Sequence, residues 1–224
     1  MKIARTIAFS LAVIGLSSVA IAGCTNNSNA TRTNDTTSTA SVQSSIPPAA
    51  IQTPETQKST TEQPVVPEKN PPGDIPDNQA FVTYSSASGG YKLEVPEGWA
   101  RRTDGKNVSF TDKFDGVKVA VTNEANPITA ATVQTQQVAK LKASGRAVQV
   151  VNVKDIQLPG GKAVLIEYTS NSEPDGVTGK QIRLENNSYL FFKNGKVATL
   201  TVFAPQGADN VDQWQRISRS FRWF

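Results

Sequence analysis

The stretch SYLFFKNGKVATLTVFA, residues 188–204, narrows the choice of folds more than any other part of the chain. Two apolar runs flank Asn194-Gly195, a dipeptide suited to a type I′ turn, in which both central residues take positive φ. The pattern predicts an antiparallel hairpin. In its second arm Val197 and Phe203 face one way, and Ala198, Leu200 and Val202 face the other. A strand apolar on both faces needs cover on both sides of its sheet. Whatever this chain folds into must therefore bury a sheet between two layers.

The same punctuation recurs upstream. FVTYSS and YKLEV flank ASGG, and Pro96 and Gly98 mark the next turn in VPEGW. NVSFTD and GVKVAVT flank KFDG, with Val117, Val119 and Val121 alternating with Lys118, Ala120 and Thr122. AVQVVNV and AVLIEY read as strands apolar on both faces, and QIRLE alternates with Ile182 and Leu184 on one side. Two stretches have helical period. In residues 129–145, Ala130, Ala131, Val138 and Leu141 share a face and Gly145 is a natural stop. In Ala208–Arg222, Trp214, Ile217 and Phe221 form a stripe with Val211 beside it. Successive hairpins argue against βαβ crossovers. The expected class is α+β, a mostly antiparallel sheet of seven or so strands with helices on both faces, an α/β/α sandwich. Every Trp and Tyr lies at or beyond Phe81, which bounds the folded domain at 78–224.

The remainder of the chain reads as an address and a spacer. Lys2 and Arg5 precede the apolar run TIAFSLAVIGLSSVAIA, too short and too polar at Ser17-Ser18 for a comfortable membrane span. Residues 1–23 fit a secretory signal. IAGC (Ile21, Ala22, Gly23, Cys24) resembles the bacterial lipobox, which implies cleavage before Cys24 and diacylglycerol on its sulfur. Two acyl chains hold a protein stably to a membrane where one is marginal. Cys24 is the only cysteine, so no intramolecular disulfide supports the fold. Residues 24–77 are rich in Thr, Ser, Asn, Gln and Pro and hold no aromatic residue. They read as a disordered tether with an average reach of roughly 40 Å. The formal charge of +4 divides unevenly, with the tether acidic and residues 78–224 basic. These features predict an exported protein, anchored by lipid on the extracytoplasmic side of a bacterial membrane.

Three segments of the domain, YSSASGGYKLEVPEGW (84–99), VSFTD (108–112) and ISRSFRW (217–223), are similar to the PsbP-like group. That group includes the extrinsic photosystem II subunit, the LpqN-type actinobacterial lipoproteins and the Ran-binding Mog proteins. The resemblance implies an antiparallel α/β/α sandwich with roles in protein or lipid contact, and supplies no catalytic residues to carry over.

The chemistry available is limited. The chain has no His and no cysteine beyond Cys24. Cys/His and Ser/His/Asp catalysis and the usual zinc or copper ligands are thereby removed. No Gly-rich phosphate loop is present. Asp112 and Asp115 in TDKFDG hint at a cation, but an Asp-Gly hairpin turn explains them. Glu173 and Asp175 in NSEPDGVTG read as a Pro-Asp-Gly turn. Two contact surfaces are candidates: Trp99 with Arg101 and Arg102, and a basic strip of Arg216, Arg219 and Arg222 on the last helix. No catalytic residue, no metal, no nucleic acid and no cofactor apart from acyl chains on Cys24 are expected.

The function that follows is a membrane-anchored envelope lipoprotein presenting a non-enzymatic binding domain for a protein partner or a lipid-like ligand. A protein partner predicts an exposed apolar patch with a polar rim. A lipid carrier predicts an enclosed apolar cavity. The alternative, an envelope-polymer hydrolase, predicts a cleft with two carboxylates of separated pKa. Accessory work at photosystem II is a further alternative for a photosynthetic source only, since it rests on fold analogy.

Overall fold

The computed structural model describes residues 62–224. The signal segment, Cys24 and the tether up to residue 61 lie outside the described residues. Seven strands form the main sheet: β3 (Ala100–Asp104), β4 (Asn107–Asp112), β5 (Asp115–Asn123), β6 (Gln149–Leu158), β7 (Gly161–Asn171), β8 (Arg183–Lys193) and β9 (Lys196–Pro205). Their order is β3-β4-β5-β9-β8-β7-β6, antiparallel throughout. A smaller sheet pairs β1 (Phe81–Ser86) and β10 (Arg222–Trp223) on either side of β2 (Tyr91–Pro96). The β8–β9 hairpin sits inside the main sheet, and Asn194 and Gly195 take φ of 49° and 75°, as a type I′ turn requires. QIRLE and SYLFFK belong largely to one long strand, β8, instead of two.

Two cores lie on opposite faces of the main sheet. On one, Val117, Val119, Leu165, Phe191, Leu200 and Val202 pack beneath the small sheet and helix α3 (Val211–Ser220). On the other, Val164, Ile166, Leu190 and Val197 pack beneath a composite helix. That helix runs through α1 (Ala130–Thr132), a π-helical stretch (Val133–Gln137) and α2 (Val138–Ser144). The π turn holds an extra residue, which rotates the buried face. Val133 is consequently buried and Ala131 exposed, where uniform 3.6-residue period places Ala131 inward. At the other end of the chain, α3 stops at Ser220, and Phe221 leaves helical geometry while staying fully buried. Its ring stacks on Phe191 at 4.3 Å and Tyr91 at 5.8 Å between centroids. Val211 is exposed.

Residues 62–77, read from composition as tether, run along the domain and are bonded to it. Asn171 Oδ1 accepts from the Val65 amide (3.0 Å), while its Nδ2 donates to Glu62 Oε1 (2.9 Å) and the Gln63 carbonyl (2.8 Å). Asn210 accepts from the Ile75 amide (2.6 Å) and donates to the Gly73 carbonyl (2.8 Å), and Ile75 itself enters the first core. An extended, proline-rich backbone leaves its polar groups without a ladder of its own, and buried asparagines satisfy them here. Those partners lie more than a hundred residues away in sequence, beyond the reach of a compositional reading. Asn171 also accepts from Arg183, a buried guanidinium whose remaining bonds go to Ala147 O, Gln149 Oε1 and Thr169 Oγ1.

Candidate functional site

The two sets of surface residues picked from the sequence do not form continuous patches. Side chains alternate across a strand, so Arg101 and Arg102 on β3 point to opposite faces. Arg101 pairs in register with Phe110 and lies 5.9 Å from the Tyr84 ring, on the face that carries the first core. Arg102 pairs with Ser109 on the other face. Trp99 is half-buried and packs against the first core. On α3, Arg216 donates from Nε to Glu94 Oε2 (2.7 Å) and lies 4.3 Å from the Phe81 ring. Arg219 is exposed on the helix beside a groove. Arg222 follows the helix and donates to the carbonyls of Arg219 and Phe221 (2.7 Å each). Arg222 is thus a C-terminal cap, and the strip ends where the helix does.

The two acidic pairs differ: Asp112 and Asp115 face each other across the β4–β5 turn, whereas Glu173 and Asp175 take different partners. Asp175 caps its own loop, accepting from the Val177 and Thr178 amides and the Thr178 hydroxyl. These bonds hold its carboxyl below the usual range. Glu173 pairs instead with Arg146 (3.5 Å). Asp115 is not a turn residue: the tight turn is Lys113-Phe114, and Asp115 opens β5, 5% exposed. One of its oxygens, Oδ1, has no hydrogen-bond partner, and burial, with Asp112 and Asp74 nearby, pushes its carboxyl up to about 7. Among the described residues no group of three or more Cys, His, Asp or Glu is arranged to hold a metal.

Among the concavities beside the helices, three exceed about 400 Å³. The largest, about 780 Å³, opens at the start of the composite helix between Pro127, Ile128 and Phe192, with Asp155, Gln157 and Lys162 among its polar lining; Ile156 and Ala163 border it, but their side chains belong to the first core on the opposite face. Asp155 fixes the geometry by accepting from the Ala130 amide at 3.0 Å, which pins the helix start to β6. Its apolar surface comes from Pro127, Ile128 and Phe192, and the mouth is open to solvent. At the other end of that helix a groove of about 420 Å³ has a polar floor, including Ser170, Asn171 and Asn186, with cations at Lys113 and Lys118 and the Arg146–Glu173 ion pair in its wall. The third, about 460 Å³, lies beside α3 and is lined in part by Glu167, Glu185, Tyr189, Trp214 and Arg219.

Glu167 and Glu185 form the arrangement that a carboxylate hydrolase requires most nearly, since they are diagonal neighbours on β7 and β8. Each is engaged elsewhere. Glu167 accepts from Asn152 Nδ2 (2.9 Å) and pairs with Lys154 (3.3 Å). Burial raises the Glu185 carboxyl, and a bond from the Gly207 amide lowers it in part.

A two-sided antiparallel sheet, clad by a helix on one face and by a helix with a small sheet on the other, is an α+β sandwich. Residues 79–223 match the PsbP family model, and the chain belongs to the PsbP family. Its fold is also similar to that of cyanobacterial PsbP (CyanoP) from Synechocystis, at 17% identity and a TM-score of 0.47, over 68% of this chain and 98% of that one. LpqN of Mycobacterium tuberculosis, described as involved in cell envelope biogenesis, aligns at 16% identity and a TM-score of 0.38, over 72% of this chain and 89% of that one. No curated protein sequence matches the chain. Among the described residues no helix is long and apolar enough to cross a membrane.

Proposed function

We propose that this protein is an envelope lipoprotein whose PsbP domain works as a non-enzymatic binding module for a protein partner. Acyl chains on Cys24 hold it to the membrane, and the segment that follows sets how far the domain searches. Confinement raises the effective concentration of nearby partners without any new contact. The observation that carries the reading is the cleft at the start of the composite helix, with Ile128 and Phe192 on its apolar wall. An open mouth with a polar rim suits an inserted apolar side chain. An acyl chain held for transport needs enclosure from water on all sides.

Two experiments test the two parts. Cys24→Ser is expected to move the protein from the membrane to the soluble fraction; unchanged fractionation rejects the lipid anchor. A photo-crosslinker placed at Gln157, on the cleft rim, is expected to trap a discrete protein adduct in cells of the source organism. Adding Ile128→Asp in the cleft wall should abolish that adduct. An adduct indifferent to Ile128→Asp, or a lipid adduct in its place, removes the cleft from the reading.

A further inference from the structure

The face of the main sheet that bears the composite helix is covered over β6, β7 and part of β8. Over β3, β4, β5 and the part of β9 beyond Val197 the described residues leave it open: Arg102 and Lys118 are exposed, and Ser109 and Thr201 are half-buried. Strand register puts Arg102, Ser109, Lys118, Thr201 and Ser188 in one row across five strands. At ~4.8 Å between strands the row is roughly 19 Å long. Cation and hydroxyl alternate along its first four positions, and the row carries no carboxylate. It leads directly into the polar groove at the end of the composite helix, because Lys118 and Thr201 line both.

The groove floor has donors and acceptors set in place. Asn186, 6% exposed, donates to Ser170 Oγ at 3.1 Å, and the hydroxyls of Ser188 and Thr201 lie 2.7 Å apart. Gly116 leaves the space that the Phe203 ring fills, since a Cβ there would overlap the ring. Lys118 Nζ lies 4.6 Å above that ring, which fixes the ammonium over the face. Phe114, 40% exposed at the tip of the β4–β5 turn, stands at the groove wall with a free aromatic surface. Lys113 beside it adds a further cation.

We propose that this row and groove form a binding track for an acidic polysaccharide. Spaced cations match carboxylate or phosphate groups along a polymer, and charge-assisted bonds to them are the strong ones. Interleaved hydroxyl and amide groups match sugar hydroxyls, and the Phe114 ring offers a flat apolar surface to a sugar ring. A membrane surface needs none of the recessed polar floor, and a folded protein partner is better served by an apolar centre. The track lies apart from the apolar cleft at the other end of the composite helix, so either surface can fail without the other.

The test uses the full chain carrying Cys24→Ser, so that no acyl group competes. Binding of a galacturonic acid hexamer is measured by calorimetry at physiological ionic strength, beside maltohexaose and vesicles of phosphatidylglycerol. The acidic hexamer is expected to bind and the neutral one to bind far more weakly. Arg102→Gln with Lys118→Gln should lower affinity about tenfold or more, and Phe114→Ala should lower it several-fold. Lys92→Gln with Lys193→Gln, equal in charge but off this face, should leave it unchanged. The proposal is overturned by absent hexamer binding, by an equal loss in that control pair, or by vesicles that bind through the same two cations more tightly than the hexamer. Circular dichroism of each variant separates lost binding from lost folding.

Discussion

Replacing Asp115 by asparagine should stabilise the domain at pH 8, and by less than half as much at pH 5. In the unfolded chain this carboxyl loses its proton near its ordinary value of 3.8, whereas in the fold it holds the proton to about 7. The largest cause is burial, and Asp112 and Asp74 add to it while Lys113 opposes it. Between those two values the folded chain binds more protons than the unfolded one, so stability falls as pH rises through the window. Above pH 7 the full penalty is present. At ~1.4 kcal/mol for each pKa unit it amounts to roughly 4 kcal/mol, or on the order of 10 °C in melting temperature for a domain of this size. The location sharpens the effect. A Cβ at Gly73 would come within 3.1 Å of Asp115 Oδ2, so residues 73–75 pass directly over the carboxyl. Asn is close to the protonated acid in shape and cannot ionise. Urea unfolding of native and Asp115→Asn protein, followed by the fluorescence of buried Trp214, measures the difference at both pH values. A variant whose advantage is the same at pH 5 and pH 8, or absent at both, would refute the assignment of this penalty to Asp115.

Two further perturbations probe the frame that holds the surfaces in place. Phe221→Ala removes a ring with no exposed surface from between Phe191 and Tyr91; a loss of about 3–5 kcal/mol is expected in chemical denaturation. Asn171→Ala deprives the Val65 amide, the Gln63 carbonyl and Arg183 of a partner together. It should cost about 2–3 kcal/mol and speed amide hydrogen exchange at residues 63–66 well before the sheet is affected.

How far the fold was legible depends on whether a signal was local. The β8–β9 hairpin, the alternation of β5 and the stripe of Trp214, Ile217 and Phe221 were readable, because each follows from neighbours a few residues apart. The π-helical turn that buries Val133 was not, since it breaks the period on which the reading rests. Nor was the exposure of Val151, which sits unpaired at a register shift in the edge strand β6. Of the surface residues, Arg102 was singled out beside Trp99 and Arg101, but the strand sends it to the opposite face, where Lys118 and Thr201 are its companions. Lys118 and Phe203 appeared only as alternation and as one side of an arm. Their stacking over Gly116 is a product of register between β5 and β9.

By itself, then, the sequence determined the absence of histidine chemistry and a two-sided antiparallel sheet, and it supports the expectation of export and lipid attachment. Composition, single motifs and short period are enough for those. Tertiary structure alone decided that residues 62–77 lie against the domain, that Asp115 is buried, and which side chains share a face. Those outcomes depend on contacts between residues tens to more than a hundred positions apart, and no local pattern carries that information.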